Sequence, residues 1–306
     1  MVKIEAPSPQ GPVDAWNAAA DHCDGPALSY LARIGARAVE LVELAPGAHV
    51  IDAACGTGHA SLPAAERVGP SGRVIGVDFA ANLLELARAK AARRGIGNLE
   101  LRLGDMQEMA YGDGQFDAVL CIFALFFVPD MVAQLRTFWR HLRPGGRLAI
   151  GIWAPEALEP ARSGIWLPAL RAEFPELTLH SAARDRIGEA GQLRATMAEA
   201  GIADSELVAC DEAQRLESPE SWWEILLGVG PIRSIIDRMP ADRRARIRQA
   251  NVDWVRTHGV TSVNASWVLA ARDPAALAAM TAAAPAVGPA AHPVHSKHPI
   301  AQICPR

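Results

Sequence analysis

The chain has 306 residues, half of them hydrophobic, and carries 34 acidic against 30 basic side chains for a formal net charge of −4. That length suits one large α/β core with attachments and argues against three independent domains. The mild acidity, with Lys and Arg scattered along the chain, supplies no field that would draw in a polyanion, so a nucleic-acid partner is not expected.

Five cysteines, at positions 23, 55, 121, 210 and 304, show neither CxxC spacing nor a pairing pattern. Cys55 and Cys121 fall in apolar segments where a free thiol acts as a small buried hydrophobe. The longest uncharged apolar run, Ala118 to Val128, is well short of the roughly 20 residues a membrane span needs. With no basic-then-apolar leader pattern, the expectation is a cytoplasmic protein without membrane insertion.

From about residue 30 to 153, apolar runs alternate with helical periodicity, the pattern of a parallel sheet covered by helices on both faces. Residues 1–45 read as N-terminal helices, the last near 30–44. Strands are predicted at 48–53, 73–78, 98–103, 116–123 and 147–153, with helices near 59–69, 80–94 and 130–143 between them. Turn chemistry supports the joints: Gly69-Pro70-Ser71-Gly72 and Gly95-Ile96-Gly97-Asn98 stop helices, and Pro144-Gly145-Gly146 opens the fifth strand. Beyond Trp153 the rhythm changes. The Pro-punctuated stretch Ala154–Pro175 gives way to the amphipathic Ile187–Ala200 and a short strand candidate, Glu206–Cys210. Residues 218–258 then read as two or three helices inserted before the strand-like Ala265–Ala271, and an insertion of that size in a compact domain is read as a lid. The expected fold is α/β, a doubly wound, mostly parallel, seven-stranded Rossmann-like sheet with a helical lid. It divides into N-terminal helices (1–45), a cofactor-binding core (46–153), the rest of the sheet with its lid (154–272) and a flexible Ala/Pro/Gly-rich tail (273–306).

Four features mark the predicted strand ends. In the run Val50 to Gly58, an apolar strand feeds a glycine turn (Gly56-Thr57-Gly58) that lets a ligand approach the backbone, and Asp52 precedes the glycines. A carboxylate there suits a cationic cofactor better than a pyrophosphate. Asp78 ends the second strand 20 residues after Gly58, at the spacing where an acid accepts both hydroxyls of a ribose. The third strand ends in Gly104-Asp105-Met106, a carboxylate for an exocyclic amine and an apolar side chain for one face of a purine, with Phe79 available for the other. The fourth strand ends at Ile122-Phe123, at the crevice where open parallel sheets bind ligands.

In this order the residues resemble the class I S-adenosylmethionine-dependent methyltransferases, and among them the small-molecule branch similar to the menaquinone and ubiquinone biosynthesis C-methyltransferases. The resemblance extends over about residues 12 to 272. It implies that Asp52, Gly56, Thr57 and Gly58 form the first cofactor motif, with Ala54 standing where a glycine is common. It further implies that Asp78 binds the ribose and that Asp105 and Met106 meet the adenine. Ile122 falls where the quinone enzymes often carry a small polar residue, leaving backbone contact at that point. On the acceptor side, the resemblance implies pocket roles for Trp16 on an N-terminal helix, for Phe126 and Phe127 after the fourth strand, and for Trp222 and Trp223 in the lid.

Each residue also has a plain structural reading. Asp52 and Asp117 can cap turns, Asp78 and Asp105 can cap the helical turns that follow them, and the tryptophans can simply pack their helices. A dinucleotide-binding dehydrogenase shares the general layout, but Gly56-Thr57-Gly58-His59-Ala60-Ser61 lacks the third glycine of GxGxxG and no second mononucleotide half follows. None of the nine histidines has a clear base-plus-orienter neighbourhood: His59 follows the glycine turn, His141 is expected to face solvent or a helix end, and His258 with Asp253 reads as a solvated helix face. The group His292, His295, His298 and Cys304 lacks the scaffold of a structural zinc site, so no metal is expected.

The expected function is methyl transfer from S-adenosylmethionine to a small, largely apolar metabolite of the phenol, quinone or polyketide-like kind met in secondary metabolism, by a monomer or homodimer. An already activated methyl group leaves the protein chiefly the tasks of alignment and water exclusion, so no general base is named. The alternative is a cofactor-binding enzyme of the same fold that catalyses rearrangement, decarboxylation or hydroxylation. A non-catalytic binding protein is a third reading, disfavoured by the intact acidic and glycine positions.

Overall fold

In the computed structural model, residues 11–153, 162–175, 190–202, 205–210, 214–259 and 265–271 are described. The tail from 273 and its histidines lie outside them. Five parallel strands, β1 (His49–Ala53), β2 (Arg73–Asp78), β3 (Leu99–Leu103), β4 (Phe116–Ile122) and β5 (Leu142–Ile152), are joined by β6 (Ser205–Cys210) and β7 (Ala265–Ala271). The strand order is β3-β2-β1-β4-β5-β7-β6, with β7 antiparallel to both its neighbours. The α/β class and the parallel five-stranded portion are those the sequence predicts.

The central strand β1 shows why this sequence makes a sheet covered on both faces. Val50, Ile51 and Ala53 are all fully buried, as expected of a near-continuous apolar strand between two helical layers. Registers are regular across β1, β2 and β3, which aligns their carboxyl ends on one edge. Helix α1 (Gly11–Cys23) precedes α2 (Tyr30–Leu41), whose Tyr30, Ile34, Ala38 and Leu41 form a buried stripe at helical spacing. Between the strands run α3 (Ser61–Val68), α4 (Ala81–Arg93) and α5 (Met131–His141). A small second core of Ala19, Ala20, Cys23, Ala80 and Leu83 fastens α1 to α4. The amide of Asn82 donates to Asn17 Oδ1, and the Asn82 side chain donates to the Asn17 carbonyl, at 2.9 and 3.1 Å.

One local expectation is corrected and another narrowed. Strand β5 starts at Leu142 and not after Pro144-Gly145-Gly146: Leu142 pairs with Phe116, and the register then jumps to Arg147 opposite Ala118, so the Pro-Gly-Gly segment is a bulge within the strand. His141 does end α5, one of its two expected placements, but it is buried rather than exposed, edge-on to Tyr111 and Phe116. Burial pushes its pKa below the ordinary value.

The later helices are α6 (Leu167–Glu173), α7 (Ala190–Glu199), α8 (Ser221–Leu227), α9 (Gly230–Asp237) and α10 (Ala241–His258). Helix α9 packs along α1 and is joined to it by Asp21 with Arg233, while His22 pairs with Glu224 of α8. No helix among the described residues is long and apolar enough to cross a membrane.

Candidate cofactor and acceptor site

Past the carboxyl end of every parallel strand, the chain turns into one cavity. Ala54 follows β1, Phe79 follows β2, Gly104 follows β3, Phe123 follows β4 and Trp153 follows β5, and all five line it. Three carboxylates meet there as well, Asp52, Asp78 and Asp105.

The glycine turn takes its shape from a run of left-handed residues. Ala54, Gly56 and Gly58 have φ of 58°, 54° and 83°, a region open to glycine and costly for alanine. The amide of Cys55 donates to the carbonyl of Val77, and that of Gly58 to the carbonyl of Cys55. Asp78 completes the turn from below: Oδ2 accepts from the Gly56 amide at 2.8 Å and Oδ1 from the Ala80 amide at 2.9 Å. Asp78 does not cap α4, whose N-cap is Ala80; it braces the turn that leads into that helix instead. A carboxylate has about four acceptor sites, so Asp78 keeps acceptor capacity for a ligand hydroxyl beside its amide bonds.

Asp52 is almost wholly buried and accepts from the Ser61 hydroxyl at 2.5 Å. Burial pushes its carboxyl up to about 7, with the Ser61 hydrogen bond opposing and the charge of Asp78 adding. The Asp78 carboxyl is also raised by burial, against hydrogen bonds from the Ala80, Gly56 and Phe79 amides and with a contribution from the Asp105 charge. No Lys, Arg or His side chain among the described residues forms an ion pair with Asp52 or Asp78. Two buried acids without a cation make the cavity electrostatically complementary to a positively charged ligand. The residues present thus fit S-adenosylmethionine, whose sulfonium is cationic and whose ribose offers a vicinal diol.

Asp105 accepts from the Gln107 amide at 2.8 Å and so caps the 3-10 turn Met106–Glu108. The Met106 side chain is buried at the cavity, and its carbonyl accepts from Gln134 Nε2 at 3.1 Å.

The rest of the lining is aromatic. Phe123 stacks on Trp153 with centroids 4.7 Å apart and planes 19° apart, and Trp153 Nε1 donates to the Tyr30 hydroxyl at 3.1 Å. Phe123 has φ of 58°, a conformation that costs a bulky residue about 1–2 kcal/mol and is met at ligand sites. Trp16 from α1 meets Phe127 edge to face at 5.7 Å. Gly228 and Val229, between α8 and α9, close over this end, where the Cys23 thiol donates to the Gly228 carbonyl at 3.3 Å.

Of the residues singled out from sequence, Asp52, Ala54, Gly56, Thr57, Asp78, Phe79, Asp105, Met106 and Ile122 all line the cavity, as do Trp16 and Phe127. Four do not. Gly58 shapes the turn while facing Leu62 and Ala87. Phe126 is packed behind the lining against Phe127 and Trp153. Trp222 donates its indole N–H to Asn251 of α10 at 2.9 Å, and Trp223 meets Trp166 edge to face, so both pack helices together. A pair of aromatics in an insertion is pulled inward because its large apolar area is best buried between neighbouring helices.

Tyr30 and Trp153 escaped the sequence reading, which places Phe123 at the crevice end of the fourth strand. The signal for Trp153 was present, since it ends a predicted parallel strand, at the edge that faces a crevice. For Tyr30, which opens α2, no local signal exists.

Residues 44–177 match the model of a family described as "Methyltransferase domain". That stretch is similar to a methyltransferase domain, and the chain shares its Rossmann-like α/β fold with solved structures of that description. It is 35% identical over 156 residues to nocamycin O-methyltransferase of Saccharothrix syringae, covering 49% of this chain and 56% of that protein. It is 40% identical over 111 residues to demethylmenaquinone methyltransferase of Listeria monocytogenes, covering 36% of this chain and 47% of the relative. The chain spans about half the length of the curated relatives it matches. Among solved structures, a Haloferax volcanii protein described as a methyltransferase, determined with a methyltransferase activator, is similar in fold. It has a TM-score of 0.54 at 18% identity, covering 87% of this chain and 97% of that one.

Proposed function

We propose that this protein transfers a methyl group from S-adenosylmethionine to an oxygen or carbon of a small, largely apolar, conjugated acceptor of the phenol, quinone or polyketide-like kind. The observation that carries this reading is the single cavity in which three carboxylates and an aromatic wall meet past the ends of the five parallel strands. Relatives named as an O-methyltransferase and as a quinone-precursor methyltransferase agree with that acceptor chemistry.

On this reading Asp78 holds the ribose hydroxyls, Asp105 with Met106 and Phe79 holds the adenine, and the turn Ala54–Gly58 with Asp52 receives the methionyl end. When bound, the cofactor supplies a methyl group already activated for in-line displacement. The protein's own residues orient, shield and neutralise. Asp52 and Asp78 offer negative charge to a cation, while Phe123, Trp153 and Phe127 exclude water and present flat apolar surface to the acceptor. Alignment of this kind is worth about 7–11 kcal/mol of barrier in well-oriented systems, enough to make strong acid-base machinery unnecessary. Residues 218–258 act as a lid, with Gly228 and Val229 at its inner edge.

Calorimetry with S-adenosylmethionine and S-adenosylhomocysteine tests the cofactor, and mass spectrometry of an acceptor panel, seeking a gain of one methylene unit, tests the transfer. Heat with the two cofactor forms and a mass gain on phenolic or quinoid acceptors are expected. No heat with either form refutes the cofactor reading, and binding without any mass gain directs attention to the non-methylating chemistries of this fold.

A further inference from the structure

Asp24 lies between α1 and the 3-10 turn Pro26–Leu28, and its side chain reaches two other elements. A single oxygen, Oδ1, receives the Thr57 hydroxyl at 2.6 Å, His59 Nε2 at 2.8 Å and the Lys90 ammonium at 2.8 Å. Lys90 also donates to Thr57 Oγ1 at 3.0 Å. Thr57 and His59 flank Gly58 in the glycine turn and both line the cavity, whereas Lys90 comes from α4. On the Asp24 side, Cys23, Leu28, Tyr30 and Leu31 line the same cavity. One carboxylate therefore joins the glycine turn to the segment that supplies Tyr30, the hydrogen-bond partner of Trp153.

The cluster is sheltered, with side-chain exposures of 30% for Asp24, 20% for His59 and 15% for Lys90. Burial works to raise the Asp24 carboxyl, but the hydrogen bonds from His59, Lys90 and Thr57 outweigh it and hold the group well below the usual carboxylate range. Asp24 is thus ionised beside Lys90 at any pH near neutrality. Of the four polar side chains in the cluster, it alone is negative.

We propose that Asp24 is a positioning residue for cofactor binding: it holds Thr57 and His59 of the glycine turn against the segment following the N-terminal helix, and its charge cancels that of Lys90 beside the cavity. The inference rests on the reading that the cavity takes S-adenosylmethionine. Its physical content is a difference in sign. A purely structural brace, once lost, weakens the cationic S-adenosylmethionine and the neutral-sulfur S-adenosylhomocysteine alike. Loss of a compensating carboxylate leaves the Lys90 ammonium unbalanced and penalises the cationic form more.

The test is calorimetry on the full chain with both ligands, comparing wild type, Asp24→Asn, Lys90→Gln and the double variant, with thermal midpoints recorded alongside. Asp24→Asn is expected to weaken S-adenosylmethionine about tenfold and S-adenosylhomocysteine about threefold. The double variant, again neutral at this point, restores the wild-type ratio of the two affinities, and Lys90→Gln alone shifts that ratio toward S-adenosylmethionine. If Asp24→Asn does not fold, the ratio in Lys90→Gln decides. Wild-type affinities in Asp24→Asn, equal weakening of both ligands, or an unchanged ratio in Lys90→Gln overturns the inference. A wild type that binds neither ligand is a different failure, that of the cofactor reading itself.

Discussion

The carboxylate of Asp78 accepts the amide proton of Gly56 at 2.8 Å, so the acid that ends β2 braces the turn that follows β1, 22 residues earlier. The same side chain holds the Ala80 amide at 2.9 Å. Ligand recognition and turn geometry are therefore coupled through one residue. Asp78→Asn exchanges one acceptor oxygen for an NH2 group that faces an amide donor. Hydrogen bonds to a charged group are each worth about 1.5–3 kcal/mol, so binding of S-adenosylhomocysteine is expected to weaken by roughly 10- to 100-fold. Calorimetry gives the loss directly, and wild-type affinity in this variant would remove Asp78 from the site.

Asp52 yields a pH signature of opposite sign to ordinary acid denaturation. Its carboxyl ordinarily titrates near 3.8 and is pushed up to about 7 in the fold. Between those values the folded chain binds more protons at this group than the unfolded chain does. The stabilising contribution is therefore fully present below about pH 4 and is lost as pH rises through about 7. Asp52→Asn has no proton to lose, so its thermal midpoint relative to wild type is expected to be higher at pH 8 than at pH 5. Melting curves of both proteins at the two values decide it, and a difference between them that does not vary with pH contradicts the assignment.

Gly230 opens α9 directly against Trp16. A Cβ at this position would lie 2.6 Å from Trp16 Cδ2, closer than side-chain carbons pack. Gly230→Ala must push the indole away from its edge contact with Phe127, at a cost of about 1–3 kcal/mol of stability. Reduced thermal stability is expected together with altered tryptophan fluorescence and weaker ligand binding. Unchanged fluorescence would show that α1 and α9 are not held this closely.

Ala54 and Gly58 offer a paired test of backbone strain. Ala54 has φ of 58° in a turn whose other left-handed positions are glycines. Ala54→Gly relieves about 1–2 kcal/mol of left-handed strain but adds about 0.5–1 kcal/mol of unfolded-state entropy, for a net gain of about 0.5–1 kcal/mol. Gly58, at φ of 83° and with a built Cβ 3.3 Å from Leu62 Cγ, responds in the other direction, losing about 1–2 kcal/mol on replacement by alanine. Chemical denaturation of the two variants should move in opposite senses, and any stabilisation by Gly58→Ala contradicts the turn geometry.

Much of this fold is local information. Each of β1 to β4 lies within a residue of its predicted bounds: β1, β2 and β4 are short apolar runs because burial on both faces demands them, whereas β3, at the sheet edge, alternates Leu with Glu100 and Arg102. The start of β5 did not follow local rules, since pairing of Leu142 with Phe116 overrode the Pro-Gly-Gly punctuation. Trp222 and Trp223 illustrate a further limit: composition marks them as apolar and aromatic, but which neighbour covers them depends on where Asn251 and Trp166 fall in space.

What the sequence determined by itself was the order of strands and helices and the placing of acids and glycines at strand ends. Periodicity and turn chemistry act over a few residues, and the parallel crossover rule then brings those ends to one edge of the sheet. Only the tertiary structure decided what surrounds them. The bonds from Asp24 to Thr57, His59 and Lys90, and from Trp153 to Tyr30, join residues 33 to 123 positions apart. Contacts over such separations depend on the packing of whole elements, and no local pattern encodes them.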